Sequence, residues 1–439
     1  MRKLLFALPL LAGASWAGTT YYSGTQTEPA YERLLAQLNQ MKPFSVVAEE
    51  YNAGFVKSTA ITRVTVTPED EDAVLFRLKH VIDHSPVGVD AAGTRIGANS
   101  VTTTLVLEDL PPEMQDALNG QEPLVLHTRI NMSGATVNEL DIASFAYSDD
   151  KASISFDGGH YEFVSDPAGK LSGKGQMNSL LIEGKHLARR VEIAPSPLQL
   201  DLQQHRPSLF TGSYSMSFPR ISVQDESAGM NVEMQDVRLL FDSGIERETY
   251  QGHVTLSIGK LEAPIPVNSA DWRFDMRGFS VDGLETYTRN MHALAESPAD
   301  AENIGSSLID AYKAIITPGI GITNQLNVRN DGGDIALTAA MDYTGDGSQN
   351  GTDNLVTVRD LVNALTAKIN LDADVAAVDI TPLGMMMGHP MASQYILTDG
   401  TKYTSELKVA ELILDANGDP QSLEMMLGGM LDMPLDFLQ

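Results

Sequence analysis

A two-residue hydrophobic period recurs along most of this chain from Phe44 onward, and it limits what the chain can fold into. In the stretch 73–83, alternate residues are apolar or aromatic, and three of the remaining residues are charged. The first set is Val74, Phe76, Leu78, His80 and Ile82, and the second includes Arg77, Lys79 and Asp83. Successive side chains of a strand point to opposite faces, so this pattern predicts a strand with one covered face.

Similar segments follow one another, with turn residues between them. We predict strands at 59–67, 102–108, 124–132, 136–147, 152–156, 160–164, 175–183, 198–202, 213–223, 230–241, 250–261, 271–281, 322–328, 334–343, 368–380 and 403–414. The sequence Asp157-Gly158-Gly159 predicts a hairpin turn between two of them. Consecutive short strands favour antiparallel pairing over parallel βαβ units. We therefore expect an α+β, β-dominated fold with long antiparallel sheets that curl.

A few segments have helical spacing instead and are expected to cover the sheets. The predicted helices are 29–41, 112–119, 284–295, 301–316, 355–367 and a closing helix at 420–438. We divide the chain into a leader (1–24), a helical stalk (25–43), a β-rich region (44–283) and an α+β region (284–439) packed on the same sheet system.

The leader indicates export. Arg2 and Lys3 precede an apolar run, and no charge appears between Lys3 and Glu28. Ser15-Trp16-Ala17 is an acceptable cleavage site for a signal peptide. The uncharged span is also long enough to cross a membrane as a helix and to anchor the rest outside. Both alternatives export the chain, as an anchored or as a soluble protein.

Composition restricts the partners. The chain has 30 Lys+Arg against 58 Asp+Glu, a formal net charge of -28. Nucleic acid and anionic lipid surfaces would repel such a protein, so neither is an expected partner. Cysteine is absent, so an exported chain of this kind has no disulfides. Hydrophobic residues make up 43%, which is enough for a packed core.

The segment 342–353 has the spacing of a calcium-binding loop. Oxygen ligands belong at positions 1, 3, 5, 9 and 12 of such a loop, with glycine at 6. Asp342, Asp346, Asn350 and Asp353 fall on positions 1, 5, 9 and 12. Thr344 at position 3 is a poor ligand, and position 12 lacks the longer Glu. We therefore favour an acidic surface loop over a calcium site.

A methionine cluster is the second candidate metal site. Met385, Met386, Met387 and Met391 surround His389, and thioethers with an imidazole suit Cu(I). Methionine is more often an adaptable packing residue. Because Met425, Met426, Met430 and Met433 follow nearby, we favour an apolar Met-rich surface, and we assign no metal or cofactor.

Common enzyme motifs are missing from the sequence. It contains no His-Glu-x-x-His, Gly-x-Ser-x-Gly or Gly-x-Gly-x-x-Gly. The segment 169–175 resembles a phosphate loop, but its glycines are one residue too close and Gly175 replaces the Ser/Thr that binds magnesium. We interpret it as a turn between strands, and His84-Ser85-Pro86 as a strand ending in a turn. No catalytic residue is assigned.

Short motifs spread along the chain carry a family resemblance. They are the leader with Trp16, Gly18, Tyr22 and Gly24, the segment 51–58 with Tyr51, Gly54, Phe55 and Ser58, His84-Ser85-Pro86, and Tyr250-Gln251-Gly252. In these the chain resembles the YdgA-like family of bacterial envelope proteins of unknown function, with Ser85 where the family has glycine. The resemblance implies a periplasmic protein anchored in the inner membrane and able to form a homodimer. It implies no catalytic residues.

Two functions from different classes remain open. The first is a non-enzymatic envelope protein that binds or scaffolds, with a lipid or other hydrophobic ligand on an apolar sheet face. The alternative is a periplasmic hydrolase whose active site is assembled from residues distant in the sequence. A sheet with one open apolar face would favour the first function.

Overall fold

A computed structural model describes residues 31–435 except 33–34, 36–38, 40–43, 55–56, 67–73, 84–86, 91–92, 97–98, 111, 132, 185–188, 207–208, 297–314, 316, 346, 348–354 and 388–393. It divides into two compact units. Unit 1 comprises Met1–His205 with Gln224–Ser227, and unit 2 comprises Arg206–Val223 with Ala228–Gln439.

Antiparallel strands make up most of unit 1. They are β1 (Phe44–Asn52), β2 (Lys57–Val66), β3 (Val74–Asp83), β4 (Val87–Asp90), β5 (Gly93–Ile96), β6 (Asn99–Leu105), β7 (Leu124–Ile130), β8 (Thr136–Ile142), β9 (Phe145–Ser148), β10 (Ala152–Phe156), β11 (Gly159–Ser165), β12 (Lys170–Met177), β13 (Leu180–Gly184), β14 (Arg189–Ile193) and β15 (Ser196–Arg206). A short 3₁₀ helix (Leu107–Asp109) and helix α1 (Pro112–Leu118) follow β6. β1, β2, β3, β6, β7 and β8 pair in that order, and β4 pairs with β5 separately.

The side chains that alternate in the sequence of these strands also alternate between buried and more exposed positions in the structure. Along β2, every second side chain from Ser58 to Val66 is buried. The apolar members of this face form a core with residues of β1, β3, β6, β7 and β8. Tyr31 and Leu35, four residues apart in the helical segment before β1, are buried in the same core. The periodicity therefore predicted the covered side of the sheet correctly.

The segment 157–159 is not a hairpin, so that prediction is wrong. β10 pairs with β9 and β13, whereas β11 pairs with β8 and β12. The segment 152–165 is therefore one long strand with a bend at Gly158, not two strands folded back on each other. Neighbouring strands are interrupted at the same level, between β8 and β9 and between β12 and β13. The predicted strand 175–183 accordingly runs across a bend.

Unit 2 is also mostly strand. Its strands are β16 (Leu209–Asp225), β17 (Met230–Glu246), β18 (Thr249–Ile258), β19 (Lys260–Glu262), β20 (Val267–Ser280), β21 (Gly321–Asn330), β22 (Gly333–Tyr343), β23 (Leu365–Asp374), β24 (Leu397–Thr398), β25 (Lys402–Ala410), β26 (Ile413–Ala416) and β27 (Asp419–Ser422). Its helices are α2 (Val281–Glu296), α3 (Val358–Asn363), α4 (Val375–Asp379), α5 (Leu383–Met387), α6 (Leu423–Leu427) and a 3₁₀ helix (Gly428–Asp432). β17, β18, β20, β21, β22, β23 and β25 pair in that order, all antiparallel.

The predicted helix 355–367 is correct only in its first half. Thr357 and Asp360 form a capping box that starts α3, but the helix ends at Asn363. From Leu365 the chain pairs with β22 as strand β23. Leucines at helical spacing overlap there with a two-residue period that predicts a strand. Pairing with β22 makes this part of the chain a strand and not a helix. The closing segment likewise combines strand β27 with two short helices instead of one long one.

The β-dominated, antiparallel architecture with few helices is confirmed. Among the described residues, no helix has the length and the apolar content required to span a membrane. The leader 1–24 and most of the predicted stalk lie outside that part, so the anchor or cleaved signal stays a prediction. The predicted helix 301–316, apart from the helical and buried Ile315, and the His84-Ser85-Pro86 segment lie outside it too.

Candidate functional site

One face of the unit 2 sheet is assembled from apolar side chains of seven strands. Residues directly opposite each other on paired strands share a face, and three such rows are almost entirely apolar. The rows are Leu239, Leu256, Trp272, Leu326, Leu337, Leu371 and Ser405; Phe241, Val254, Phe274, Asn324, Ala339, Ile369 and Leu407; and Ser243, Gly252, Met276, Ile322, Met341, Ala367 and Val409. We call these rows the apolar face.

Among the described residues, nothing buries the large side chains of the apolar face. None of its large side chains is buried, and Leu337, Met341 and Ile369 are 36%, 38% and 41% exposed. With strands about 4.8 Å apart and residues about 3.4 Å apart, the rows extend over about 29 Å by about 14 Å. The outline of roughly 400 Å² is within the range of the largest apolar patch of a soluble monomer, and such patches are often functional.

The few polar groups in these rows already have hydrogen-bond partners. The Trp272 indole N–H donates to Asn324 Oδ1 at 3.3 Å, and the Trp272 ring stacks on Phe274 with centroids 6.2 Å apart. Ser405 donates to the Tyr395 carbonyl at 2.7 Å, and Ser243 donates to the Gly212 carbonyl at 3.5 Å. The apolar face therefore presents mainly hydrocarbon to a ligand.

Unit 1 contains a polar group within its packed face instead. Thr62 Oγ1 lies 2.8 Å from His80 Nε2, and Thr103 Oγ1 lies 2.9 Å from His80 Nδ1. The Tyr31 hydroxyl lies 2.5 Å from Thr62 Oγ1. Burial lowers the pKa of His80 to about 4, so the imidazole is neutral at neutral pH. This histidine packs against the helical residue Tyr31 and bonds to two neighbouring strands of the sheet.

The family follows from the whole chain. Residues 1–424 match the model of a family described as a bacterial protein of unknown function, DUF945. The chain belongs to the DUF945 family. It is similar to Protein YdgA of Escherichia coli (strain K12), with 21% identity over 495 residues, which covers 99% of this chain and 97% of that protein. No solved structure matches it significantly.

These findings confirm the YdgA-like resemblance, and they leave the activity of the DUF945 family undefined. Evidence for function in this member therefore comes from its own residues. An apolar sheet face was expected from the sequence as a ligand site, but the strands and residues that form it were not identified. The signal was present in the alternation of strands β17 to β25, but alternation alone does not indicate which sheet face remains open.

The predicted calcium ligands are only partly described. Asp342 lies in β22, and its Oδ1 accepts a hydrogen bond from Arg277 Nη2 at 2.6 Å. Asp346, Asn350 and Asp353 lie outside the described residues, so calcium binding stays untested. Within the described part of the chain, no group of three or more His, Asp or Glu side chains could hold a metal ion.

The C-terminal methionines lie at the surface. Met425 is 84% exposed and Met430 is 60% exposed, with Met426 and Met433 at 47% and 40%. This confirms the predicted Met-rich surface for these four residues. Of the other cluster, Met387 ends α5, whereas His389 and Met391 lie outside the described residues.

The prediction that the glycine-rich segment 169–175 is a turn between strands is correct only at its start, because Lys170–Met177 is strand β12. Gly169 lies in the turn before β12, and Gly173 and Gly175 lie within β12 opposite Phe163 and Tyr161. A side chain at Gly173 or Gly175 would collide with these rings. The glycines therefore make room for the rings of Tyr161 and Phe163, which lie on the same strand and stack with centroids 6.2 Å apart, and no phosphate loop is formed.

Proposed function

We propose that this DUF945 member is a non-enzymatic exported protein of the bacterial envelope that binds the acyl chain of a lipid on its apolar face. It would act in the periplasm, anchored in the inner membrane by 1–24, or as a soluble protein after cleavage. The observation that carries the proposal is the set of three rows of partly exposed apolar side chains across seven paired strands.

Hydrogen bonding favours hydrocarbon over polypeptide as the occupant. A bound polypeptide would place peptide N–H and C=O groups against the face, and a buried polar group without a partner costs about 1–3 kcal/mol. The polar side chains of the face are already bonded to Asn324, Tyr395 and Gly212. An acyl chain has no such groups and gains about 0.8 kcal/mol for each methylene that it buries.

The net charge of the chain favours binding of single lipid molecules over adsorption of the protein to a membrane surface. A protein of net charge -28 is repelled by an anionic bilayer surface. The same charge opposes close association of two copies. We therefore propose that single lipid molecules, not a bilayer surface or a second copy, occupy the apolar face.

Native mass spectrometry of protein extracted from bacterial membranes in mild detergent tests the proposal directly. We expect an adduct with the mass of one lipid that dissociates on collisional activation. The spectrum also reports the homodimer and whether the leader 1–17 is still attached. A bare monomer or dimer from every preparation would oppose lipid binding and favour scaffolding.

Charge substitution on the apolar face should abolish ligand binding. We expect Leu337→Lys and Ile369→Lys to weaken binding of the fluorescent fatty acid cis-parinaric acid at least about tenfold, because an ammonium group is costly to bury beside hydrocarbon. Both residues are already partly exposed, so the fold should tolerate the changes.

The matched control is Leu75→Lys. Leu75 is 50% exposed on β3 of unit 1 and is not part of the apolar face, so its substitution should leave fatty-acid binding unchanged. Equal binding by all three variants would mean that the probe binds elsewhere. Absence of binding by the unsubstituted protein would refute the proposal itself.

A further inference from the structure

A polar cleft of about 520 Å³ is lined mainly by residues of the opposite face of the same sheet, and Ser243, Gly252 and Met276 of the third apolar row also border it. Asp242, His253, Asp275 and Thr323 lie directly opposite one another on β17, β18, β20 and β21, so they form one row on this face. The adjacent row contains glycine at two of its strands, Gly244 and Gly321, and the cleft lies where their side chains are missing.

The cations of the cleft are neutralised. Arg273 Nε lies 2.9 Å from both carboxylate oxygens of Asp275, and its Nη2 lies 2.7 Å from Oδ1. Arg277 donates to Asp342 across Gly321. Because both guanidinium groups have carboxylate partners, the cleft offers no free positive charge to a phosphate or carboxylate. These ion pairs instead hold the side chains of Arg273 and Arg277 in position at the border of the cleft.

The remaining side chains of the cleft have unused hydrogen-bonding capacity. Within the described part of the chain, Asp242, Gln251, His253, Thr323 and Gln325 have no side-chain hydrogen bond or ion pair. Together they offer a carboxylate, two amides, a hydroxyl and an imidazole, which are both donors and acceptors. All face one concavity whose size is that of an ordinary small-molecule site.

We propose that this cleft binds a neutral oligosaccharide of two or three sugar units. Adjacent sugar hydroxyls both donate and accept, so they match the carboxylate of Asp242 and the amides of Gln251 and Gln325. An anion would meet Asp242 without a free cation to compensate. A purely apolar ligand would leave the polar lining unsatisfied. The proposal goes beyond lipid binding, which uses the other side of the sheet.

Isothermal titration calorimetry with maltotriose, cellotriose and chitotriose tests this assignment on the full-length protein. We expect at least one of them to bind with a dissociation constant of about 1 mM or tighter. Asp242→Ala should weaken that binding at least about tenfold. Gly244→Gln should do the same by filling the cleft, and it should fold because an added Cβ at Gly244 meets nothing within 4 Å.

Asp271→Asn is the control on the same face. Asp271 lies on β20 in register with the cleft residues but outside the cleft lining, so its substitution should leave binding unchanged. Fatty-acid binding on the apolar face should also be unaffected by Gly244→Gln, which separates failure of one site from failure of the other. No binding of any trisaccharide at about 10 mM, or binding that Gly244→Gln leaves intact, would overturn the proposal.

Discussion

Acidification from pH 7 to pH 4 should lower the free energy of unfolding of unit 1 by about 3 kcal/mol through His80 alone. Its pKa is about 4 in the folded protein against 6.5 for an ordinary histidine. Between these values the unfolded chain binds a proton that the folded chain does not. The contribution to stability is therefore complete above pH 6.5 and is lost as the pH falls to 4, at about 1.4 kcal/mol per pKa unit.

The structural cause is the surroundings of the ring. His80 is hydrogen-bonded to Thr62 and Thr103 and packs edge-on against Tyr31, with centroids 5.9 Å apart. None of these partners is a carboxylate that could compensate a positive charge. Protonation would place an unpaired imidazolium in the packed face, which favours unfolding.

Urea unfolding followed by circular dichroism at pH 7, 5.5 and 4.5 measures this effect. In His80→Gln the amide keeps a hydrogen-bonding group but cannot titrate, so the loss of stability over this range should shrink. His160→Gln is the control, because Asp141 raises the pKa of His160 and its own contribution is lost as the pH rises. A pH dependence that is identical in His80→Gln and in the unsubstituted protein would contradict the assignment.

Local pattern was sufficient for much of the fold. Alternation predicted β10 at its observed bounds, and the helix predicted at 112–119 after Pro111 agrees with α1 to within one residue. Both signals are local, because the face that a side chain occupies depends on strand or helix geometry. The same signal assigned His80 to the covered face of β3, where it lies. Its hydrogen-bond partners could not be predicted, since Thr62 and Thr103 reach it only through pairing with β2 and β6.

The candidate site depends on long-range pairing and was harder to anticipate. The rows of the apolar face connect Leu239 of β17 with Leu371 of β23, residues that are far apart in the sequence. The period shows which residues of each strand share a face, but not the order of the strands. Nor does it show whether helices cover the resulting face. The expected open apolar face was therefore a hypothesis until the register was known.

Gly158→Ala should destabilise unit 1 by about 3 kcal/mol, which is a large effect for one methyl group. Gly158 has φ +85°, where a side chain costs about 1–2 kcal/mol. An added Cβ would also lie 2.6 Å from the Ile142 carbonyl oxygen of the neighbouring strand. Backbone would have to move to relieve this contact, and such adjustments cost about 1–3 kcal/mol.

The large effect expected for Gly158→Ala follows from the position of Gly158 at the bend of the long strand. Across it, the Asp157 N–H donates to the Ser179 carbonyl at 3.0 Å and the Asn178 N–H donates to the Gly158 carbonyl at 2.9 Å. The sheet thus keeps its hydrogen bonds where the strand changes direction. The sequence Asp157-Gly158-Gly159 has the composition of a hairpin because both structures need a residue with positive φ. Composition alone does not distinguish them.

Gly120→Ala separates the two contributions to this loss. Gly120 also has positive φ, +76°, but an added Cβ there meets nothing within 4 Å. Its substitution should cost about 1 kcal/mol, the conformational part alone. Urea unfolding of both variants at pH 7 should therefore differ by about 2 kcal/mol, which is the cost of forcing the strands apart at the bend. Equal destabilisation would show that the close approach to Ile142 contributes nothing, and that Gly158 is needed only for its backbone conformation.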